Sequence, residues 1–307
     1  MRIIEKANAK INIFLDIIGR RQDGYHLLKM IMHSIPLYDT VEIEEADNGI
    51  ILEGSDSCLP WDNTNLAYKA AEAFCRYFNI SYGVRIYIDK HIPVAAGLAG
   101  GSSDAAAVLR GLNKLWKVKA TAQELRDIAL TLGADVPYCV EGGTVLAEGI
   151  GERLTPLKAL PQGYLVLITP PIAVSTAEAY KGWDETIVKS HASIEPLLQA
   201  IERSDLEAIG KCLFNTLEPV VVKRYPLIDE IKKVMAQCHC LGSCMSGSGP
   251  SVFGIFDNRA EAIAAVDRLK AVVPGSEVFL APLIGEREEI CLMLLYWPAI
   301  MKTATAL

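Results

Sequence analysis

The alternation of apolar and polar residues near the start of the chain has the period of a strand. Over residues 9–16, Ile11, Ile13 and Leu15 fall on one side, with Lys10, Asn12 and Phe14 on the other. Gly19-Arg20-Arg21-Gln22-Asp23-Gly24 is a turn by composition, and Tyr25 to Ser34 reads as a second strand, so the start of the chain is expected to be a hairpin. Val41 and Ile43 support a third strand. Asn65 to Phe78 has helical spacing, with Asp62, Asn63 and Thr64 available as caps. Val84, Ile86 and Ile88 mark another strand. A helix is expected from Asp104 to Trp116, its alanine-rich start permitting close packing against that strand. Thr121-Ala122-Gln123-Glu124 has the capping-box pattern, which predicts a helix to Leu132 stopped by Gly133. Strand character returns at Thr144 to Glu148.

The segment Pro156 to Gly163 is the best candidate boundary. Beyond it Leu165 to Ile168 is a buried-type strand, and helical patterns follow at Thr176–Trp183, Ile194–Arg203 and Tyr225–Cys238. Ser251–Phe256, Arg259–Val272 and Glu277–Leu280 read as strand, helix and strand. The pattern predicts a mixed α+β protein in two unequal lobes. Residues 1–158 form the first, 159–285 the second, and 286–307 an apolar tail. That tail, including Tyr296 and Trp297 and interrupted by Pro298, is too short for the ~20 apolar residues a bilayer span needs. It is expected to dock on the protein's own surface or between subunits, leaving monomer and homodimer both open.

Composition narrows the classes. The chain has 307 residues, is 51% hydrophobic and 22% charged, and carries a net charge of −7 without a basic run. That fits a folded protein and argues against a nucleic-acid partner, which would require a cationic patch. No apolar stretch suited to a secretory signal opens the chain, because Arg2, Glu5, Lys6, Asn8 and Lys10 interrupt it. The eight cysteines therefore suggest a reduced, cytoplasmic setting rather than a disulfide framework. Cys238-His239-Cys240 with Cys244 has some likeness to a metal cluster, but no second matching pair exists, and buried thiols near a turn are the default.

Two small-residue loops and two charged residues carry the candidate chemistry. Pro93-Val94-Ala95-Ala96-Gly97-Leu98-Ala99-Gly100-Gly101-Ser102-Ser103 links a strand to a helix. It is either a tight turn or a cradle whose backbone approaches a phosphate at a helix N-terminus, and its three glycines with two serines favour the cradle. It contains neither the lysine of a P-loop nor the Gly-x-Gly-x-x-Gly of a dinucleotide site. Met245-Ser246-Gly247-Ser248-Gly249-Pro250-Ser251 leads into a strand and, opposite the first loop, could close a phosphate-bearing cleft. Lys10 and Asn12 share one face of an apolar strand, which also suits an edge strand with a solvated face. Asp135 follows a helix and is either a turn carboxylate or a functional one.

Taken together, Ala9–Leu15 with Arg20–His26, the Pro93–Asp104 loop, Leu132-Gly133-Ala134-Asp135-Val136-Pro137 and the Ser246–Pro250 loop resemble the GHMP kinases. The likeness runs from about residue 2 to residue 282. It implies a two-lobed fold, with an N-terminal ribosomal-S5-like α/β domain, a C-terminal ferredoxin-like α+β domain and a cleft between them. The Asp-Gly-Tyr-His and Gly-Ala-Asp-Val-Pro blocks point to the branch that phosphorylates the 2-hydroxyl of a CDP-linked methylerythritol in non-mevalonate isoprenoid synthesis. By that resemblance Lys10 and Asp135 are the catalytic pair. Pro93, Val94, Ala95, Ala96, Gly97, Leu98, Ala99, Gly100, Gly101, Ser102 and Ser103 hold the phosphates of ATP, the co-substrate that carries Mg²⁺. Asn65 and Lys90 bracket the adenine, Tyr25, His26 and Tyr180 take the cytosine, and Asn12 and Thr176 meet the methylerythritol or its diphosphate. No direct metal ligand and no membrane partner is implied. A GHMP kinase for mevalonate or homoserine, or a non-catalytic nucleotide sensor on the same fold, are the competing readings. The tail from Ile290 onward has no counterpart in the family pattern.

Overall fold

The computed structural model describes residues 1–187 and 189–283, so the expectations for the tail fall outside the described residues. Strand β1 (Arg2–Arg20) and strand β2 (His26–Ala46) pair antiparallel along almost their whole length. The second and third strands read from the pattern are therefore one strand of 21 residues. Its two halves serve different neighbours, which is why its burial pattern changes midway and reads as two elements. Strand β3 (Ile50–Gly54) follows, then helix α1 (Leu66–Tyr77), capped by Asn65 rather than by Asp62, Asn63 or Thr64. The Asn65 side chain accepts from Ala67 N–H, while Asp62 accepts from Thr64 instead.

Strand β4 (Gly83–Asp89) precedes the glycine loop and helix α2 (Gly100–Leu115), which starts four residues before the expected Asp104. Helix α3 (Ala122–Leu130) carries the capping box that was read from Thr121 and Glu124. Helix α4 (Val136–Glu141) was not expected; at six residues it is too short to show a period. Strands β5 (Thr144–Gly149) and β6 (Arg153–Pro156) complete this lobe.

The second lobe contains β7 (Gly163–Thr169), α5 (Thr176–Glu185), α6 (Glu195–Arg203), α7 (Leu206–Lys211), β8 (Phe214–Asn215), α8 (Glu218–Arg224), α9 (Leu227–Gln237), β9 (Gly242–Met245), β10 (Val252–Phe256), α10 (Arg259–Val272) and β11 (Glu277–Leu283). Four of these strands form an antiparallel sheet in the order β11-β7-β10-β9. The seven-stranded sheet of the first lobe runs β3-β4-β2-β1-β8, with β5 and β6 branching from β2.

β8 returns from the second lobe to pair parallel with β1, so β1 is an inner strand, and Lys10 and Asn12 lie buried on it. The solvated-edge reading of those two residues is excluded. The cores also cross the boundary read at residue 158. Ile11, Ile13 and Phe14 of β1 pack in one cluster with Leu165, Leu167, Phe253 and Ile255 of the second sheet. An apolar core shared between the lobes holds the walls of the cleft at fixed separation.

One close approach sets how the second sheet meets its helices. A Cβ on Gly242 would lie 1.9 Å from the carbonyl oxygen of Gly210 in α7, backbone against backbone. Gly242→Ala is expected to cost about 1–3 kcal/mol, because neither partner is a flexible side-chain end. Urea denaturation measures this; an unchanged midpoint would show that α7 can shift freely.

Candidate functional site

A cavity of about 1060 Å³ opens between the lobes. This lies at the upper end of the range for single small-molecule sites and suits two ligands side by side. It is lined by residues 93–102 and by Tyr25, His26 and Tyr180; Lys10, Asn12, Asp135, Thr176, Gly247 and Ser248 also line it.

The glycine loop is polarised by its hydrogen bonds. Its carbonyls point into the protein: Ala96 O accepts from Ser251 N–H, Leu98 O from Lys10 N–H, and Gly97 O from both Lys10 Nζ (3.0 Å) and Ser246 Oγ (2.9 Å). Among the described residues, none of the amides from Val94 to Ser102 has a partner. Helix α2 has no side-chain cap, its N-cap being Ala99 in the left-handed region. A helix of 16 residues with an uncapped N-terminus, preceded by a run of unspent N–H groups, is an anion site by backbone alone. The tight-turn reading of this loop leaves those amides unexplained.

Lys10 is placed by three acceptors. Its Nζ donates to Asn12 Oδ1 at 2.7 Å and to Gly97 O, and lies 3.8 Å from Asp135 Oδ2. Asp135 stands at the N-cap of α4, yet its side chain makes no capping bond, so its carboxylate is free to face the cavity. The capping alternative for Asp135 is thereby set aside. Ser246 Oγ also accepts from Asn12 N–H at 3.3 Å, and the Asn215 amide donates to Met245 O and Gly247 O, fixing the second loop. Thr176 Oγ1 meets Ser248 Oγ at 2.8 Å, tying α5 to that loop.

Lys90, Ser103 and Asn65 each have partners inside the fold, and Lys90 and Asn65 also line the cavity. Lys90 Nζ is buried between Asp39 and Asp104, forming a triad beside the position a Cβ on Gly100 would take. Burial opposes the Lys90 charge, but Asp104 and Asp39 together raise its affinity for the proton. Its ammonium is therefore paired with two carboxylates while the residue lines the cavity. Ser103 donates to Asn8 O at 2.6 Å and lies away from the cavity wall, whereas Ser102 lines it. The Asn65 amide donates to Pro60 O while its oxygen caps α1.

In the same cavity the His26 and Tyr180 rings are tilted by 36° with centroids 4.9 Å apart, and Tyr25, which also lines it, is exposed. Burial raises the Tyr180 hydroxyl's hold on its proton, with Asp135 adding to the effect. The structure brings Lys10, Asn12, Tyr25, His26, Asn65, Lys90, Asp135, Thr176, Tyr180 and the loop from Pro93 to Ser102 to one cavity. Sequence reasoning missed Asn215, Asp39 and Asp184, and gave no role to Asp104 at the end of the quoted loop; no short motif announces Asn215 or Asp39. Among the described residues no cluster of three His, Cys, Asp or Glu side chains could hold a metal, and no helix is long and apolar enough to cross a membrane. Cys244 is buried, which pushes its thiol up.

The GHMP kinases N terminal domain pattern matches residues 65–143, and the GHMP kinases C terminal pattern matches residues 197–275. A 4-diphosphocytidyl-2-C-methyl-D-erythritol kinase of Clostridium botulinum (strain Alaska E43 / Type E3) is 51% identical over 265 residues, 86% of this chain and 95% of that protein. The enzyme of that name from Clostridium perfringens (strain ATCC 13124) is 48% identical over 281 residues, 91% of this chain and 98% of that protein. A crystal structure of 4-(cytidine 5'-diphospho)-2C-methyl-D-erythritol kinase superposes with a TM-score of 0.77 at 33% identity, covering 92% of this chain and all of that one (100%). A homoserine kinase from Cytophaga hutchinsonii shares the fold at TM-score 0.74 and 22% identity, over 93% of this chain and 96% of that one.

Two outcomes follow from this geometry. Gly97 has φ +76°, and a Cβ there would lie 2.2 Å from Ser246 O, so Gly97→Ala should cost about 1–3 kcal/mol in urea unfolding and weaken nucleotide binding. A variant with unchanged ATP affinity would detach the loop from phosphate binding. Asp104 is pushed from 3.8 up to about 7, first by burial and further by Asp39, against the pull of Lys90. The folded chain thus holds this proton more tightly than the unfolded one. The stabilisation is complete below the ordinary value and is lost as pH rises through about 7. Asp104→Asn, neutral at every pH, should therefore gain on the wild type between about pH 5 and pH 8; parallel urea curves across that range would refute the assignment.

Proposed function

This chain belongs to the 4-diphosphocytidyl-2-C-methyl-D-erythritol kinase family within the GHMP kinases, and we propose how its cleft carries out that family's reaction. The chain is an ATP-dependent small-molecule kinase. On our reading it moves the γ-phosphate of ATP to the 2-hydroxyl of 4-diphosphocytidyl-2-C-methyl-D-erythritol, leaving the 2-phosphate and ADP. The observation that carries this is the placing of Lys10 and Asp135, 3.8 Å apart, in the wall of one cavity that has an anion cradle at one end and an aromatic end at the other.

The backbone amides of residues 94–102 receive the triphosphate. Asp135 accepts the proton of the 2-hydroxyl as its oxygen attacks phosphorus, and Lys10 holds that carboxylate in position while facing the transferring group. Asn12 keeps the Lys10 ammonium aimed, through the 2.7 Å bond to its Oδ1. Tyr25, His26 and Tyr180 hold the cytosine, where stacking on a ring is worth roughly 1–3 kcal/mol. Mg²⁺ carried by ATP would screen the phosphates, with the Ser102 hydroxyl, which lines the cavity, at hand for its water shell. The clustering of titratable and aromatic groups at the hairpin end, in an enzyme acting on a small molecule, favours this acceptor over mevalonate or homoserine.

Asp135→Asn should lower kcat by about 10²–10⁴ while leaving the KM for ATP within a few-fold. Lys10→Ala should be comparably impaired. Product formation from the CDP-linked alcohol, ATP and Mg²⁺ is followed by phosphorus NMR. Near-wild-type turnover in the Asn variant would remove Asp135 from the chemistry, and turnover with mevalonate alone would refute the acceptor.

A further inference from the structure

Strand β1 changes phase midway. Asn12 pairs with Met32, Phe14 with Ile31 and Leu15 with Met30, so Ile13 is an extra residue and forms a β-bulge. Lys10 and Asn12 line the cavity before the bulge, and Leu15 lines it afterwards. Phe14, which strict alternation puts beside Asn12, packs instead in the cluster of Ile11 and Ile13 on the other side. Between Asn12 and Leu15 the cavity face of β1 thus turns from polar to apolar. On β2, His26, Leu28 and Met30 alternate along the cavity face and make the same change.

Met30 stands where the two characters meet. It is 3% exposed, and its Sδ accepts from Asn12 Nδ2 at 3.5 Å, the amide whose oxygen accepts from Lys10 Nζ. A thioether is a weak acceptor, so the side chain remains an apolar surface. Its Cε borders the gap beside Gly151: a Cβ there would lie 3.5 Å from Met30 Cε and 3.4 Å from the carbonyl oxygen of Ala134, the residue before Asp135. Met30 therefore flanks both Lys10 and Asp135 through their immediate neighbours. Among the groups that the proposed reaction brings to that pair, the methyl branch on C2 is the apolar one, and C2 is the carbon bearing the reacting hydroxyl.

We propose that Met30 is a specificity-determining residue whose thioether, backed by Leu15, receives the C2 methyl group, so that the site selects a methyl-branched tertiary alcohol over its unbranched counterpart. This role rests on the acceptor proposed above. With the methyl seated on Met30 and the hydroxyl drawn to Asp135, two substituents of C2 are fixed and the reacting oxygen is aimed. An unbranched alcohol leaves a methyl-sized gap against the thioether, where a water finds few partners.

The test compares kcat/KM for the CDP-linked 2-C-methylerythritol with that for its desmethyl and 2-C-ethyl analogues, in wild type, Met30→Ala and Met30→Leu. Differences in intrinsic reactivity between the alcohols are common to the three proteins, so the ratios report the pocket. Met30→Ala should lower the methyl-over-desmethyl ratio about tenfold or more, the value of one methylene-sized contact. It should raise the ethyl-over-methyl ratio, because truncation opens space. Met30→Leu, close in volume, should keep most of the methyl preference. The KM for ATP should stay within a few-fold. A merely structural role for Met30 would lower all three acceptors by one factor and leave both ratios unchanged, which overturns the proposal.

A second readout uses the wild-type chain. With carbon-13-labelled methionine methyls and no ATP, the complex with the CDP-linked 2-C-methylerythritol should show a nuclear Overhauser effect between the Met30 methyl and the C2 methyl. A saturated complex without it overturns the proposal even if the Ala variant fails to fold. Wild type that neither binds nor phosphorylates the CDP-linked alcohol refutes the proposed function and this role with it, whereas full turnover with unchanged ratios refutes Met30 alone.

Discussion

The carbonyl of Gly97 is the point on which the cleft depends. It accepts from Lys10 Nζ and from Ser246 Oγ, so a residue of the central strand and one of the second lobe converge on a single oxygen of the glycine loop. With that carbonyl drawn inward, beside those of Ala96 and Leu98, the loop turns its amides outward. The outward row of amides is thus a consequence of where the carbonyls are anchored. Only a residue at positive φ without a Cβ could fit, because Ser246 O occupies the space a side chain would need. Lys10 belongs to both arrangements: it anchors the loop and faces Asp135.

The same economy explains the Asp39–Lys90–Asp104 triad. A lysine next to a triphosphate site would ordinarily be expected to meet the phosphate directly, as a point charge. Here two buried carboxylates hold the Lys90 ammonium, and the Asp39 oxygen also accepts from Ile92 N–H at 2.8 Å. The triad is therefore a brace between β2, the end of β4 and the first turn of α2. Its excess negative charge, lying behind the loop, is relieved by the proton that burial encourages Asp104 to keep. What the loop offers to an anion is consequently helix N–H groups, whose direction is set by the fold and does not depend on rotamers.

Much of this was legible in the chain, and the parts that were not share a cause. The alternation around Ile11 placed Lys10 and Asn12 on one face, and the 2.7 Å bond between them is the direct expression of that period. Capping chemistry at Thr121 was equally local and equally clear. The length of β2 was not, since a strand whose two halves face different partners carries two burial patterns. Residues whose roles depend on long-range partners gave no signal: Asn215 acts on a loop about thirty residues away, and Asp39 on Lys90, fifty-one residues on. Asp184 lies between these cases. Its spacing from Thr176 and Tyr180 was visible, but its partner on another strand was not.

The two ends of the cavity are built from different kinds of constraint. The phosphate end uses backbone groups, so almost any side chain that permits the loop's conformation is compatible with it. That is why the glycine loop by itself points only to the wider kinase fold, which the homoserine kinase structure shares at 22% identity. The hairpin end uses side chains whose placement requires both lobes, with Arg20 and His26 from the first gripped by Asp184 from the second. A shared apolar core across the lobes, Ile11 and Phe14 against Leu167 and Phe253, is the condition for such a grip to hold. Lobes that hinged freely could keep the unspent amides of the loop, but would lose the alignment of His26 against Tyr180.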